Sequence, residues 1–195
     1  MKKHITSALC CICLMLSGYS QTLHFNWGDN IGKTKAVVYP TGSHVLPNGD
    51  LLLLLYVYPE TGQPNDSINI NPKGTPHHVK NSSTVARYSS NGTLVWAFSF
   101  PHSASNNMVL NGVKAAPDGS FWLCGTFSGS MDANPDTGVY TLTSKGYTDI
   151  FIGRYDGNGK LIKAFSIGSA NTDVSESAMQ TECDEQGNLY LFGNT

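Results

Sequence analysis

The chain aligns with itself, and this constrains its fold more than any other feature. Residues 85–98 (VARYSSNGTLVWAF) return as residues 151–165 (FIGRYDGNGKLIKAF), with Arg87 and Arg154 lying 67 positions apart. A second block, 116–126 (APDGSFWLCGT), returns as 184–194 (DEQGNLYLFGN), with Gly119 and Gly187 68 apart. An earlier copy stands at 46–53 (LPNGDLLL), where Gly49 precedes Gly119 by 70. A fixed period built from short apolar stretches is the mark of a repeat architecture.

Ahead of the repeats, Lys2 and Lys3 precede an apolar stretch from Ile5 to Leu16, and Gly18-Tyr19-Ser20 follows with small residues at the positions a signal peptidase reads. The pattern predicts a signal peptide over 1–20, cleaved between Ser20 and Gln21, and therefore a secreted or cell-surface protein. A membrane anchor is the rival reading, but the apolar run falls short of the roughly 18 residues a spanning helix needs. Cys10, Cys11 and Cys13 raise a lipoprotein signal as a further alternative, yet they sit inside the apolar segment rather than after a small-residue pair.

Losing residues 1–20 takes away two of the 12 basic residues and none of the 14 acidic ones, so the remainder carries a formal charge of −4. That balance, without a basic stripe, argues against nucleic acid as a partner. Of the five cysteines only Cys124 and Cys183 lie beyond the leader, at non-equivalent places in the repeat. An exported protein could pair them, and two buried apolar thiols are the alternative.

Each unit reads as short strands separated by Gly-centred turns, since Asp-Gly and Asn-Gly tolerate the positive φ that tight hairpins need. The spacing predicts four antiparallel strands in the second unit (84–88, 93–100, 108–115, 120–127) and four in the third (149–155, 160–167, 176–183, 188–193). The units themselves run about 21–83, 84–148 and 149–195. Strands such as 121–124 (FWLC) and 189–192 (LYLF) are apolar on both faces, which calls for small sheets stacked face to face. Residues 51–55, five leucines, read as a strand buried between neighbouring sheets, and no segment beyond the leader shows a sustained helical period.

Four-stranded units that bury one another describe the blades of a β-propeller. The expectation is therefore an all-β chain, an incomplete arc of about two and a half four-stranded antiparallel blades, with the remaining blades supplied by a longer chain. A period of 67 to 70 exceeds the roughly 40 to 50 residues of common blades. Insertions at 57–81 and 128–147 account for the surplus and are expected as loops on one rim, between one unit and the next.

Residues 149–159 (DIFIGRYDGNG), the strand ending in 165–168 (FSIG) and the stretch 184–195 (DEQGNLYLFGNT) resemble the bacterial β-propeller repeat known as SBBP. Residues 125–132 (GTFSGSMD) with 140–144 (YTLTS) resemble the insertion found in such repeats in secreted proteins of the Bacteroidota. The resemblance runs over about 23–195, weakly in the first unit and well in the third. It implies a secreted or cell-surface propeller, often part of a long protein with a C-terminal sorting domain, and it implies no reaction. Trp96-Ala97 and Lys163-Ala164 depart from the pattern, where blades carry a Trp followed by a polar residue.

Few residues suggest chemistry. Asp132, Asn134 and Asp136 present oxygen-bearing side chains at alternate positions, as a loop does around calcium, although Gly138 comes one place late and position 143 is Thr rather than a bidentate Glu. The same residues beside Pro135 and Gly138 are also plain turn formers. His77 and His78 are adjacent but lack Cys, Asp or Glu at ligand spacing, so a solvated pair is expected rather than a zinc site. Arg87 and Arg154 recur at one place in two units, which predicts a structural bond to a neighbouring turn. Trp27, Trp96 and Trp122 fall in strand-like stretches and are expected mostly in the core. Asn65, Asn81 and Asn91 begin Asn-x-Ser/Thr triplets, relevant only in a host that glycosylates. Gly-x-Ser-x-Gly is absent. The reading that follows is a non-enzymatic extracellular scaffold for binding or adhesion, contacting a protein or glycan through its insertions and using no cofactor unless the loop at 132–136 takes calcium. The alternative is a propeller-fold polysaccharide hydrolase or lyase, which would need carboxylates or histidines converging from several blades, whereas the acids here cluster in turns.

Overall fold

Five hairpin turns of one kind organise the chain, and each is placed by a glycine that the repeat supplies. A computed structural model describes residues 36–59, 67–171 and 175–194. The predicted leader, Trp27, Asn65 and the start of the first unit lie outside these residues. In the turn at 46–50 the Gly49 N–H donates to Leu46 O at 2.8 Å and the Leu46 N–H to Asp50 O at 2.7 Å, and the pair recurs at 89–93, 116–120, 156–160 and 184–188. Gly49, Gly92, Gly119, Gly159 and Gly187 all hold φ between 82° and 84°. A tight turn closed by a left-handed residue makes a three-residue hairpin loop, and that backbone region strains any residue with a Cβ.

The described residues contain strands and no helix. β1 (Ala36–Val45), β2 (Leu51–Pro59), β5 (Ser82–Tyr88) and β6 (Leu94–Pro101) form one four-stranded antiparallel sheet in that order. β7 (Asn107–Ala115), β8 (Phe121–Ser128), β11 (Asp149–Tyr155) and β12 (Leu161–Ile167) form a second with the same plan. β13 (Ser177–Cys183) and β14 (Leu189–Asn194) pair as the first two strands would in a third copy. The leading strand of each sheet carries a bulge at the repeat-equivalent place, between Pro40 and Gly42, Leu110 and Gly112, and Ala178 and Gln180.

This grouping corrects the expected one. β5 pairs with β2, through Leu51↔Tyr88 to Val57↔Ser82, and carries β6 on its other edge, so neither strand pairs with β7 or β8. β11 likewise pairs with β8, through Asp149↔Phe127 to Tyr155↔Phe121. A period states how far apart equivalent residues lie but leaves the starting point of a unit open, and cross-strand pairing decides it. The insertions accordingly fall inside a sheet, between its second and third strands, and they are not open loops. The first forms the hairpin β3 (Ile68–Asn69) and β4 (His78–Val79), the second β9 (Ser130–Asp132) and β10 (Thr141–Thr143).

Alternation along the strands separates two core layers. Leu52, Leu54, Val85 and Phe100 face the second sheet and pack with Leu110, Phe121, Leu123 and Phe151. Leu51, Leu53, Leu55 and Val57 point the other way and are covered by Ile68, Ile70 and Val79 of the first insertion. The five leucines are thus buried as expected, but one of their two faces rests on a hairpin rather than on a sheet. A third cluster joins Trp122, Cys124, Ile150 and Ile152 to Ala178, with Leu189 and Leu191 half-buried against it. Antiparallel pairing puts all five glycine turns at one end of the sheets and both insertions at the other.

Candidate functional site

The loop that follows β9 uses its polar side chains on itself. Asp132 Oδ1 accepts from the N–H groups of Asn134 at 2.9 Å and Tyr140 at 2.8 Å. Asn134 Oδ1 accepts from the Asp136 N–H at 3.1 Å, while its Nδ2 donates to Thr137 O at 3.1 Å. Asp136 points instead toward Lys160, 3.9 Å away. The first insertion builds the same device without a charge, because Asn69 Oδ1 accepts from the N–H groups of Asn71 and His77, both at 2.9 Å. A neutral side chain doing the work of Asp132 supports the turn reading of the 132–136 stretch. Among the described residues no group of three or more His, Cys, Asp or Glu is placed to hold a metal ion.

Tyrosines at one repeat position clamp each insertion onto its sheet. The Tyr88 hydroxyl donates to Ile70 O at 2.6 Å and the Tyr155 hydroxyl to Ala133 O at 2.8 Å, and both side chains are fully buried. Burial raises the pKa of both phenols, so they act as donors and do not ionise. Sequence reading overlooked the pair, although the recurrence of Arg-Tyr at 87–88 and 154–155 was its signal. The two arginines do bond neighbouring turns. Arg87 donates from Nε and Nη2 to Asp50 Oδ2 at 2.9 and 2.7 Å, and from Nη1 to Gly157 O of the second sheet at 2.8 Å. Arg154 donates from Nε to Ser120 Oγ at 2.9 Å and from Nη2 to Asp118 Oδ2 at 2.7 Å.

The remaining candidates fall into place individually. His78 is exposed and lies 3.2 Å from Ser67 Oγ through Nδ1, and His77 is half-buried. Cys124 and Cys183 are free thiols, the first buried with its pKa pushed up to about 12 by loss of solvent. Trp122 is buried, and half-buried Trp96 donates from Nε1 to Gly157 O at 3.2 Å. The expectation that carboxylates cluster in turns fails for Glu182, which lies within β13, and for two buried acids. Asp149 and Glu176 are buried near the insertion end, with Asp149 Oδ1 accepting from the Lys145 N–H at 3.0 Å and Glu176 Oε1 from the Ser169 N–H at 2.9 Å.

Two of the concavities among the described residues are lined in part by the candidates above, and one row of charge recurs with the repeat. A small apolar cleft of about 200 Å³ opens at the insertion end between Phe100, Pro101, Asn107, Met108, Met131 and Asp132. A wider one of about 540 Å³ lies between the second sheet and the β13–β14 hairpin. His44, Lys114 and Glu182 stand at repeat-equivalent places on β1, β7 and β13. Lys114 Nζ meets Glu182 Oε1 at 2.9 Å, and the His44 pKa is lowered by burial and by the Lys114 charge. The protein is all-β with repeated four-stranded sheets, and among the described residues no constellation defines a reaction. Neither the known protein-family models nor the curated proteins match this chain, so the likeness to SBBP repeats rests on its residues alone.

Proposed function

We propose that the chain is part of an exported β-propeller of the SBBP type that serves as a non-enzymatic scaffold for binding or adhesion, its partner an extracellular protein or glycan. The observation that carries this reading is the order of the sheets: β7 lies beside both β1 and β13, as the innermost strands of successive blades would. The bulges recur in these same three strands. Ten strands in the order four, four, two correspond to an arc of about two and a half blades.

The partner-binding rim is the insertion end. The second insertion and the segment after it offer Val139, Tyr140 and Tyr147, exposed by 77%, 43% and 68%. Large exposed apolar side chains on a structured hairpin favour contact with a partner over solvation. Tyrosines of this kind serve protein and glycan partners equally, which leaves the class of partner to experiment. The hydrolase or lyase alternative draws its support from the row His44, Lys114 and Glu182, but a lysine and a glutamate already paired to each other are poor acid and base. A pulldown from the surface fraction and a glycan array, run beside a hydrolase and lyase screen, test the proposal. Binding that Tyr140→Ala with Tyr147→Ala abolishes supports it, and turnover of a polysaccharide lost in His44→Ala overturns it.

A further inference from the structure

The first and second sheets present matching faces in the chain direction, and among the described residues the first is covered out to its last strand while the second is covered in part. Phe98 and Phe100 on β6 correspond to Phe165 and Ile167 on β12 at the 67-residue offset. Phe100 is 3% exposed, its ring edge-on to Phe151 at 5.8 Å, and Phe98 tilts against Tyr155 at 5.3 Å. Phe165 and Ile167, by contrast, are 41% and 42% exposed and line the open cleft of about 540 Å³ with Trp122 and Ile152. The difference has one structural source. Among the described residues β11 and β12 lie over the first sheet with β7 and β8, whereas β13 and β14 alone lie over the second.

A polar contact repeats the contrast. Arg87 Nη1 reaches the Gly157 carbonyl in the β11–β12 turn, tying the first sheet to the hairpin that covers it. Arg154, at the same repeat position, spends Nε and Nη2 within its own sheet, and its Nη1 has no hydrogen-bond partner among the described residues. β14 pairs only with β13 among the described residues, which leaves its other edge open, and an open edge beside an apolar face is the geometry that accepts an added strand.

We infer that the β14 edge and the cleft over Ile152, Phe165 and Ile167 form a docking site for a β-hairpin of the chain's own repeat pattern, an equivalent of β11–β12. Its turn carbonyl would accept from Arg154 Nη1. The source is the same polypeptide continuing past β14. β14 occupies the place of β8, and β8 leads through an insertion into the hairpin that covers the preceding sheet. The inference rests on the stacked-sheet reading proposed above and gives it a specific joint.

The test compares the full chain with the same chain extended after Thr195 by a second copy of its own residues 128–167, the segment that follows β8. Hydrogen exchange over 189–194 is expected to slow at least tenfold in the extended chain, with a rise in Tm. Ile167→Asp should leave the Tm of the original chain within about a degree and lower that of the extended chain several-fold more. Unchanged exchange in β14, or an equal effect of Ile167→Asp in both chains, overturns the inference. So does a doubled mass by light scattering with concentration-dependent protection of β12 in the unextended chain, which would make a second copy the occupant. If the extended chain is insoluble, a synthetic peptide of residues 149–167 offered in trans to the original chain decides by the same exchange measurement, and no protection overturns the inference. Loss of rim binding with hairpin capture intact would count against the scaffold function alone.

Discussion

Arg87 and Arg154 are the same residue at the same repeat position, so replacing each with alanine measures what its surroundings add. Arg87 makes two charge-assisted bonds to Asp50 Oδ2 and a third across the sheet interface to Gly157 O. Its side chain is 20% exposed and that of Asp50 12%. Arg87→Ala leaves the Asp50 carboxylate with the Ser90 N–H, at 3.2 Å, as its remaining long-range partner. Hydrogen bonds to charged groups are each worth about 1.5–3 kcal/mol. Partial solvation of both ends reduces the total, and a net loss of about 2–3 kcal/mol is expected. For a domain of this size that is a fall in Tm of roughly 4–12 °C. Arg154 bonds to Asp118, whose side chain is 59% exposed, so water replaces most of what Arg154→Ala removes, and its Tm should fall by less than half as much. Differential scanning calorimetry on the two variants reads the difference. Equal falls would show that the bond to Gly157 O and the burial of Asp50 contribute nothing, which would refute the argument.

Four further outcomes are expected. Tyr88→Phe and Tyr155→Phe each leave a buried carbonyl unpaired and should cost about 1–3 kcal/mol, with faster hydrogen exchange confined to residues 67–81 in the first variant and 129–144 in the second. Asp132→Asn should keep its loop, as Asn69 does in the first insertion, and calcium should leave the melting of both forms unchanged; a calcium-dependent rise in Tm that Asp132→Asn abolishes would establish a cation site instead. Burial opposes the charge of Asp50, but the hydrogen bonds led by that from Arg87 outweigh it and hold the carboxyl below its ordinary value. A lowered folded-state pKa contributes stability above the unfolded value of about 3.9 that is lost as pH falls through the folded one, so the gap in stability between wild type and Asp50→Asn should be constant from neutral pH to about pH 5 and shrink below about pH 4. Mass spectrometry of the exported protein should find a chain beginning within two residues of Gln21, and retention of residues 1–20 or a lipid on a cysteine would contradict the leader reading.

Much of the architecture was written in the sequence, because its signals are local. The glycines at 49, 92, 119, 159 and 187 are needed wherever a three-residue hairpin turn demands a left-handed residue, and their spacing carries the repeat without reference to any other part of the molecule. The apolar character of both faces of 121–124 likewise announced stacked sheets. Three matters were decided only in three dimensions. The phase of the repeat depended on which edges pair, and Leu51↔Tyr88 is a contact that no periodicity encodes. The insertions became packed hairpins because Ile68, Ile70 and Val79 found the leucine face of β2, a meeting of residues too few to announce a core when read in line. Phe100 and Ile167 occupy one repeat position, and what separates a residue buried to 3% exposure from one open at 42% is the presence or absence of a neighbouring sheet. Burial belongs to the assembly of strands and not to any strand alone. For that reason the sequence determined the kind of unit this protein is made of, and only the tertiary structure decided how the units join and which of their faces remains open.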